Sequence, residues 1–402
     1  MFQILLAMIY LAFTSLGLPD SMLGAAWPDM YVEFGVPLSY AGIISAIIAA
    51  GTIVSSLQSD RLTLKLGAGK VTAISVAMTA AALFGFSVTH SFPLLCLWAI
   101  PYGLGGGSVD AALNNYVALH YESRHMSWLH CMWGVGAATG PYIMGYALTG
   151  GMGWNGGYRI ISIIQVVLTI ALFLSLPLWK KKEMEEKASK AGENAGGAVD
   201  AAEEKRKPMP LFEVLKIRGA KEVLICFFCY CAIEQTAGLW ASSYLNLNKG
   251  MAASTAASFA SMFYIGITIG RAISGFLTFK LSDVKMIRLG QGLILLGILI
   301  LLLPGSAYIS LGGFIMIGLG CAPVYPCIIH STPAHFGADK SQAIIGVQMA
   351  FAYLGTLGMP PLFGILANRI SIALLPGYLL LILVLMVIMH EALNRVTAVK
   401  QA

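Results

Sequence analysis

The sequence predicts an all-α integral membrane protein with twelve transmembrane helices in two pseudo-symmetric six-helix halves. Three observations predict it. The 402-residue chain is 57% hydrophobic and only 11% charged, against about 25% charged in soluble domains, and its mean hydropathy is +0.77. Apolar windows of about 20 residues, the length that crosses a bilayer, recur along the whole chain between charge clusters and Gly/Pro turns. Short matches also repeat, in order, between the first six windows and the last six.

The N-terminal half covers residues 1–179. Its first span, near 3–30, begins without a positive charge and without a small-residue cleavage site, so it reads as a retained span rather than a signal peptide. The second, near 38–64, follows the turn at Gly35 and Pro37 and stops at Lys65 and Gly67. The third and fourth, near 69–90 and 92–120, are parted at His90 and Pro93. The fifth, near 124–150, starts beside Glu122 and Arg124 and ends in glycines; the sixth, near 156–179, stops at three consecutive lysines from Lys180. Residues 180–216 read as a cytoplasmic linker rich in Lys, Glu, Ala and Gly, with an amphipathic helix fraying over 180–190 and a flexible stretch at 192–199. The C-terminal half, 217–402, has spans near 217–247, 251–279, 285–304, 307–332, 338–368 and 371–392. They are cut at Lys249 and Gly250, Lys280 and Asp283, Pro304 and Gly305, Gly337, and Arg369.

Basic residues set the orientation. With both termini in the cytoplasm, all but Arg159, Lys249 and Arg369 of the 25 Lys and Arg lie in cytoplasmic loops or adjoining span ends, as the positive-inside rule requires. The net charge of +6 is therefore topological: no basic stripe with interleaved aromatics indicates nucleic acid. The seven cysteines all fall in apolar segments. Cys226, Cys229 and Cys231 imitate a metal spacing, but no second Cys or His pair completes a tetrahedral set, so they read as small fillers and no metal or cofactor is expected.

The repeat is carried by several matches. Gly103-Leu104-Gly105 recurs as Gly318-Leu319-Gly320, Leu64-Lys65-Leu66 as Phe279-Lys280-Leu281, and Gly51 as Gly266. Gly136, Pro141 and Gly145 match Gly355, Pro360 and Gly364, while Asp20 and Gly24 match Glu234 and Gly238. A six-span duplication of this kind is a common plan of secondary transporters, with the binding site near mid-membrane.

On these residues the chain resembles the major facilitator superfamily across essentially its whole length. The run Ser59-Asp60-Arg61-Leu62-Thr63-Leu64-Lys65-Leu66-Gly67 resembles that superfamily's Asp-Arg signature, without its usual Gly before the Asp and without its Arg run. Within the superfamily the chain is most similar to the group of fucose permeases and hexose:proton symporters. Leu18-Pro19-Asp20, Asp110 with Asn114, Ile233-Glu234 followed by Gly238-Leu239-Trp240, and Ile269-Gly270-Arg271 carry that similarity. The resemblance implies that spans one, four, seven and ten line a central path, and that acids on spans one and four serve substrate binding and proton coupling. Span four carries Asp where that group has Glu, and Asn114 is followed by Asn115 rather than Pro, so the division of labour between the two acids is not carried over.

Inside the spans the polar residues stand out. Asp20, Asp110 and Glu234 are lone carboxylates in spans one, four and seven, with no Lys or Arg at comparable depth in those spans. A charge at the bilayer centre costs about 2.5–3.5 kcal/mol, so such groups face water or mark an ion path, and desolvation favours the protonated form. They are the expected proton- or cation-coupling residues. Asp110 and Asn114 are four apart and share a helix face. Asn114, Gln235 and Gln348 both donate and accept, as sugar hydroxyls do; Asn115 reads as a packing contact. Trp133 and Trp240 are candidates to stack on a sugar ring. Tyr325 and His330 occupy, in span ten, the repeat positions of Asp110 and Asn115, and His130 and His330 are candidate proton relays. Asp60, Arg61 and Arg271 are expected to pair near neighbouring helix ends and to control conformation.

The expected function is cation-coupled symport, with a proton or sodium ion, of a neutral hexose by alternating access in a monomer in the cell membrane. Proton-driven antiport of cationic or lipophilic compounds is the alternative, and would use the same acids. No nucleophile motif, metal cluster or phosphate loop points to an enzyme.

Overall fold

The structure, a computed structural model, describes residues 2–20, 22–37, 40–193, 207–251 and 253–398. Helices dominate: α1 Phe2–Asp20, α2 Met22–Glu33, α3 Ala41–Leu66, α4 Ala68–Val88, α5 Phe92–His120, α6 Ser123–Thr149 and α7 Gly153–Glu193, then the short α8 Leu211–Val214 and α9 Ala220–Ser243, α10 Ala253–Leu277, α11 Asp283–Leu302, α12 Ala307–Phe336, α13 Ala338–Arg369 and α14 Leu375–Ala398. With α1 and α2 taken as the first span, α3–α7 and α9–α14 account for the other expected spans. Ten of these segments are long and apolar enough to cross a membrane among the described residues. Below that threshold is α6, which carries Arg124, His125 and His130, while in α10 the described apolar run is Met262–Leu277. Single glycines with positive φ make two of the tight joints, Gly67 (φ +79°) between α3 and α4 and Gly337 (φ +92°) between α12 and α13; only Gly adopts that conformation freely. Helix α7 continues without a break past the three lysines to Glu193. The flexible stretch expected at 192–199 lies largely outside the described residues.

Contacts group the chain into two compact units, Met1–Leu113 with Met132–Met209, and Asn114–Cys131 with Pro210–Ala402. In the first unit α5 lies against α3 along a glycine stripe. A Cβ at Gly103 or Gly107 would fall on the carbonyl oxygen of Ile48 or Thr52, and the hydroxyls of Thr52 and Ser56 donate to the carbonyls of Gly103 and Gly107, both at 3.2 Å. Small residues for approach and hydroxyls across the seam are the usual means of helix packing where the surroundings are as apolar as the side chains. Helix α1 packs on α6 at Gly136, where a Cβ would meet Thr14 O and Leu18 N. Pro19 cannot donate to Ser15 O one turn back, and Gln165 of α7 donates its Nε2–H to that carbonyl at 2.5 Å. An apolar cluster including Met22, Trp27, Met30, Ile44, Phe86 and Tyr158 fills one end of this unit.

The second unit repeats these seams. Gly266 of α10 faces Gly318 and Leu319 of α12 as Gly51 of α3 faces Gly103 and Leu104 of α5. A Cβ at Gly355 of α13 would meet Phe228 O and Ala232 N of α9, the repeat positions of Thr14 and Leu18. The matches of Gly51 with Gly266, Gly103 with Gly318 and Gly136 with Gly355 are thus the same helix contacts made twice, whereas Gly145 and Gly24 touch nothing within 4 Å and their counterparts Gly364 and Gly238 meet aromatic side chains. Gly290 against Gly320, and Gly297 against Gly313, hold α11 on α12.

Candidate functional site

In the first unit the site is built on Asp20, the last residue of α1. Its Oδ1 accepts from the Tyr102 hydroxyl of α5 at 3.1 Å and its Oδ2 from the Trp133 indole Nε1–H of α6 at 2.9 Å. Asp20 is otherwise exposed, and no ion pair reaches it among the described residues. Both donors are neutral, so they orient the carboxylate without cancelling its charge. Trp133, a candidate for ring stacking, is thereby also a hydrogen-bond donor. Asp110 lies half-buried on α5, about 12 Å along the helix axis from Tyr102 at 1.5 Å per residue.

The second unit holds a buried charged cluster. Glu234 of α9 and Arg271 of α10 form an ion pair at 3.5 Å, with Glu234 8% and Arg271 3% exposed. The Tyr230 hydroxyl, one turn back on α9, donates to the same carboxylate oxygen. Arg271 also donates to the carbonyl of His130 at 3.5 Å. The His130 Nε2–H donates to Asn114 Oδ1 at 3.0 Å, and its ring stands edge-on to Tyr325 at 4.5 Å. Tyr325 packs against Phe227 and Tyr230 as well, and its hydroxyl reaches Met349 Sδ at 3.2 Å.

These contacts correct several expectations. Glu234 is not a lone carboxylate, and Arg271 does not pair near a helix end: each neutralises the other inside the unit, because a charge buried without a partner would cost far more than the pair. The basic residue missing from spans one, four, seven and ten arrives on span eight. His330 has both ring nitrogens engaged, Nδ1 with Asp283 Oδ2 at 2.6 Å and Nε2 with the Tyr121 carbonyl at 3.1 Å. The Trp240 indole donates to Pro360 O at 3.0 Å and its ring packs edge-on to Phe363, so helix packing occupies it. Asp60 accepts the backbone N–H of Met209, at the end of the linker, at 3.0 Å. Arg61 is exposed.

Other candidates fall into place more simply. Gln348 is fully buried, its Oε1 accepting from Thr332 at 3.1 Å. Gln235 is half-buried on α9. Asn115 accepts from Ser341 at 2.6 Å, a packing contact. The sequence reading passed over Tyr102, Tyr230 and Asp283. Tyr230 had a signal, since it stands four residues before Glu234 on one helix face; Tyr102 and Asp283 had none beyond their neighbours.

The family model of the Major Facilitator Superfamily matches residues 9–360. Bypass of stop codon protein 6 of Saccharomyces cerevisiae is 22% identical over 387 residues, 90% of this chain and 77% of that protein. The glucose/mannose transporter GlcP of Bacillus subtilis is 24% identical over 326 residues, 79% of this chain and 77% of its own. Among solved structures, the E. coli fucose:proton symporter FucP superposes with a TM-score of 0.75 at 16% identity, over 96% of this chain and 98% of that one. The chain therefore belongs to the Major Facilitator Superfamily, and it is a multi-pass membrane transporter rather than an enzyme.

Proposed function

We propose that this transporter is a cation-coupled symporter, driven by protons, for a neutral monosaccharide. The observation that carries the reading is Asp20, an exposed carboxylate in the first span held by two neutral donors. That pair of donors accommodates both protonation states. The indole N–H donates to Oδ2 in either state, whereas the Tyr102 hydroxyl donates to the carboxylate and, by rotating, accepts from the acid. Glu234 is already paired with Arg271, so coupling rests on Asp20 with Asp110. Likewise Arg271 is paired with Glu234, so its buried guanidinium is not left to recruit an anionic substrate.

Asn114, Gln235, Gln348 and the Trp133 ring are the proposed sugar contacts, with Tyr325 supplying an aromatic wall. The glucose/mannose and fucose specificities of two similar proteins support a hexose. In this reading residues 1–179 and 217–402 move as alternating-access halves joined by the 180–216 linker, with both termini cytoplasmic. Switching is favourable when the acid is protonated with sugar bound, or when both sites are empty.

The test is full-length protein in proteoliposomes, given a panel of hexoses with sodium present or absent, while external pH is recorded. Symport predicts alkalinisation outside as sugar enters, without sodium. Asp20→Asn and Asp110→Asn should abolish uphill accumulation and retain exchange of sugar across the membrane. Normal accumulation by both variants, or proton movement opposite to a cationic solute, would replace this reading with another.

A further inference from the structure

One polar cluster takes no part in the proposed sugar site. The turn joining α5 to α6 is docked on the ends of α10, α11 and α12 within the second unit. Arg124 lies over the Phe279 ring, 4.7 Å from its centroid. Trp128 stands edge-on to Phe276 at 5.6 Å, and a Cβ at Gly275 would fall on its indole. At the centre of the dock Asp283, in the first turn of α11, accepts from the Ser123 hydroxyl through Oδ1 at 2.5 Å and meets His330 Nδ1 through Oδ2 at 2.6 Å. The other ring nitrogen of His330 meets the carbonyl of Tyr121 at 3.1 Å.

Counting protons in this arrangement decides its charge state. A neutral imidazole has one N–H and one lone pair, yet here both nitrogens face oxygen acceptors. Facing the Tyr121 carbonyl requires a hydrogen on Nε2. The 2.6 Å approach of Nδ1 to a carboxylate oxygen requires another hydrogen between them, whichever of the two atoms holds it. The docked arrangement therefore contains one proton more than a carboxylate plus a neutral imidazole. Without it, either a lone pair would face a carboxylate at hydrogen-bond distance, or the bond to Tyr121 would be lost. The other groups acting on the ring are few. Glu122 acts on it from the turn and is itself paired with Arg124 at 3.0 Å. The Cys327 thiol lies 3.9 Å from the Ser123 hydroxyl, and His335 lies within the field of Asp283. No other charged group interacts with His330 among the described residues.

We propose that Asp283 and His330 form a proton-binding site separate from the transport acids, and that binding one proton there holds the α5–α6 turn docked on α10, α11 and α12. The side chains of His330 and Asp283 are 19% and 15% exposed, so water can deliver the proton without opening the helices. A rise in pH loosens the dock, a control on conformation that acts before any sugar is present and stands independently of the substrate reading above.

Hydrogen–deuterium exchange of the full-length chain in lipid nanodiscs, without sugar, tests this through the backbone amides of residues 121–128. After correction for the intrinsic pH dependence of exchange, protection should fall by up to about tenfold per pH unit once the site loses its proton, in a window between about pH 5 and pH 9, because docking binds one proton. His330→Gln, which keeps a donor but cannot carry the extra proton, should show low protection and no slope. Ser123→Ala should keep the slope at lower protection. A flat wild-type profile overturns the proposal, as does a His330→Gln profile with the wild-type slope. Should the Gln variant fail to fold, the wild-type slope alone decides.

Discussion

Replacing Arg271 by Met tests the buried pair in the second unit. The guanidinium sits 3.5 Å from Glu234, with both residues nearly inaccessible. Its removal strands a carboxylate whose other partner is the Tyr230 hydroxyl. Breaking a buried pair by deleting one partner costs about 3–5 kcal/mol, while replacing both by uncharged groups of similar volume is often neutral. Arg271→Met and Glu234→Gln should each lower the thermal midpoint of the detergent-solubilised transporter, and the double variant should lie closer to wild type than the Arg271→Met single. The Arg271 donation to His130 O at 3.5 Å is lost in both Arg271 variants, so it does not disturb the comparison between them. Fluorescence-detected size exclusion after heating reads all four proteins in one series. Strict additivity of the two single effects would refute the reasoning, since it would mean that the two charges do not stabilise one another.

The glycine seams make a paired prediction. Gly136→Ala places a methyl on Thr14 O and should cost about 1–3 kcal/mol by overpacking, whereas Gly145→Ala, with nothing within 4 Å of its Cβ, should be nearly silent; heating curves of the two variants check this. Gly355→Ala, the repeat counterpart of Gly136, should behave as Gly136→Ala does, and equal stability of Gly355→Ala and Gly145→Ala would sink the equivalence of the seams. Asn114→Ala removes the partner of His130 and a proposed sugar contact. Sugar binding by calorimetry should weaken by about 1–3 kcal/mol, and an unchanged affinity removes Asn114 from the site.

The span plan was legible because hydropathy over about 20 residues and the positions of Lys and Arg are properties of the chain itself. Asp20 and Glu234 were legible as anomalies for the same reason, a charged side chain being conspicuous in an apolar run. Their partners were not. Tyr102 and Trp133 reach Asp20 from helices 82 and 113 residues away in sequence, and nothing in an aromatic residue inside a span marks it as a donor to a distant carboxylate. Arg271 was visible as a basic residue, but only packing places it against α9 rather than at a helix end. His330 shows the limit most clearly, since its repeat position suggested a sugar contact while Asp283 and the Tyr121 carbonyl take both of its nitrogens.

The sequence by itself determined the membrane character, the succession of spans and the duplication, down to several of the glycines that must be small. These follow from local hydrophobicity and from residue sizes that repeat with the fold. The tertiary structure decided which acids keep an uncompensated charge. Among the described residues Asp20 accepts from two neutral donors, while Glu234, its counterpart in the repeat, meets Arg271. The physical reason is that the cost of a charge depends on the groups within a few ångströms of it, and those groups come from other helices whose approach the linear order of residues does not specify.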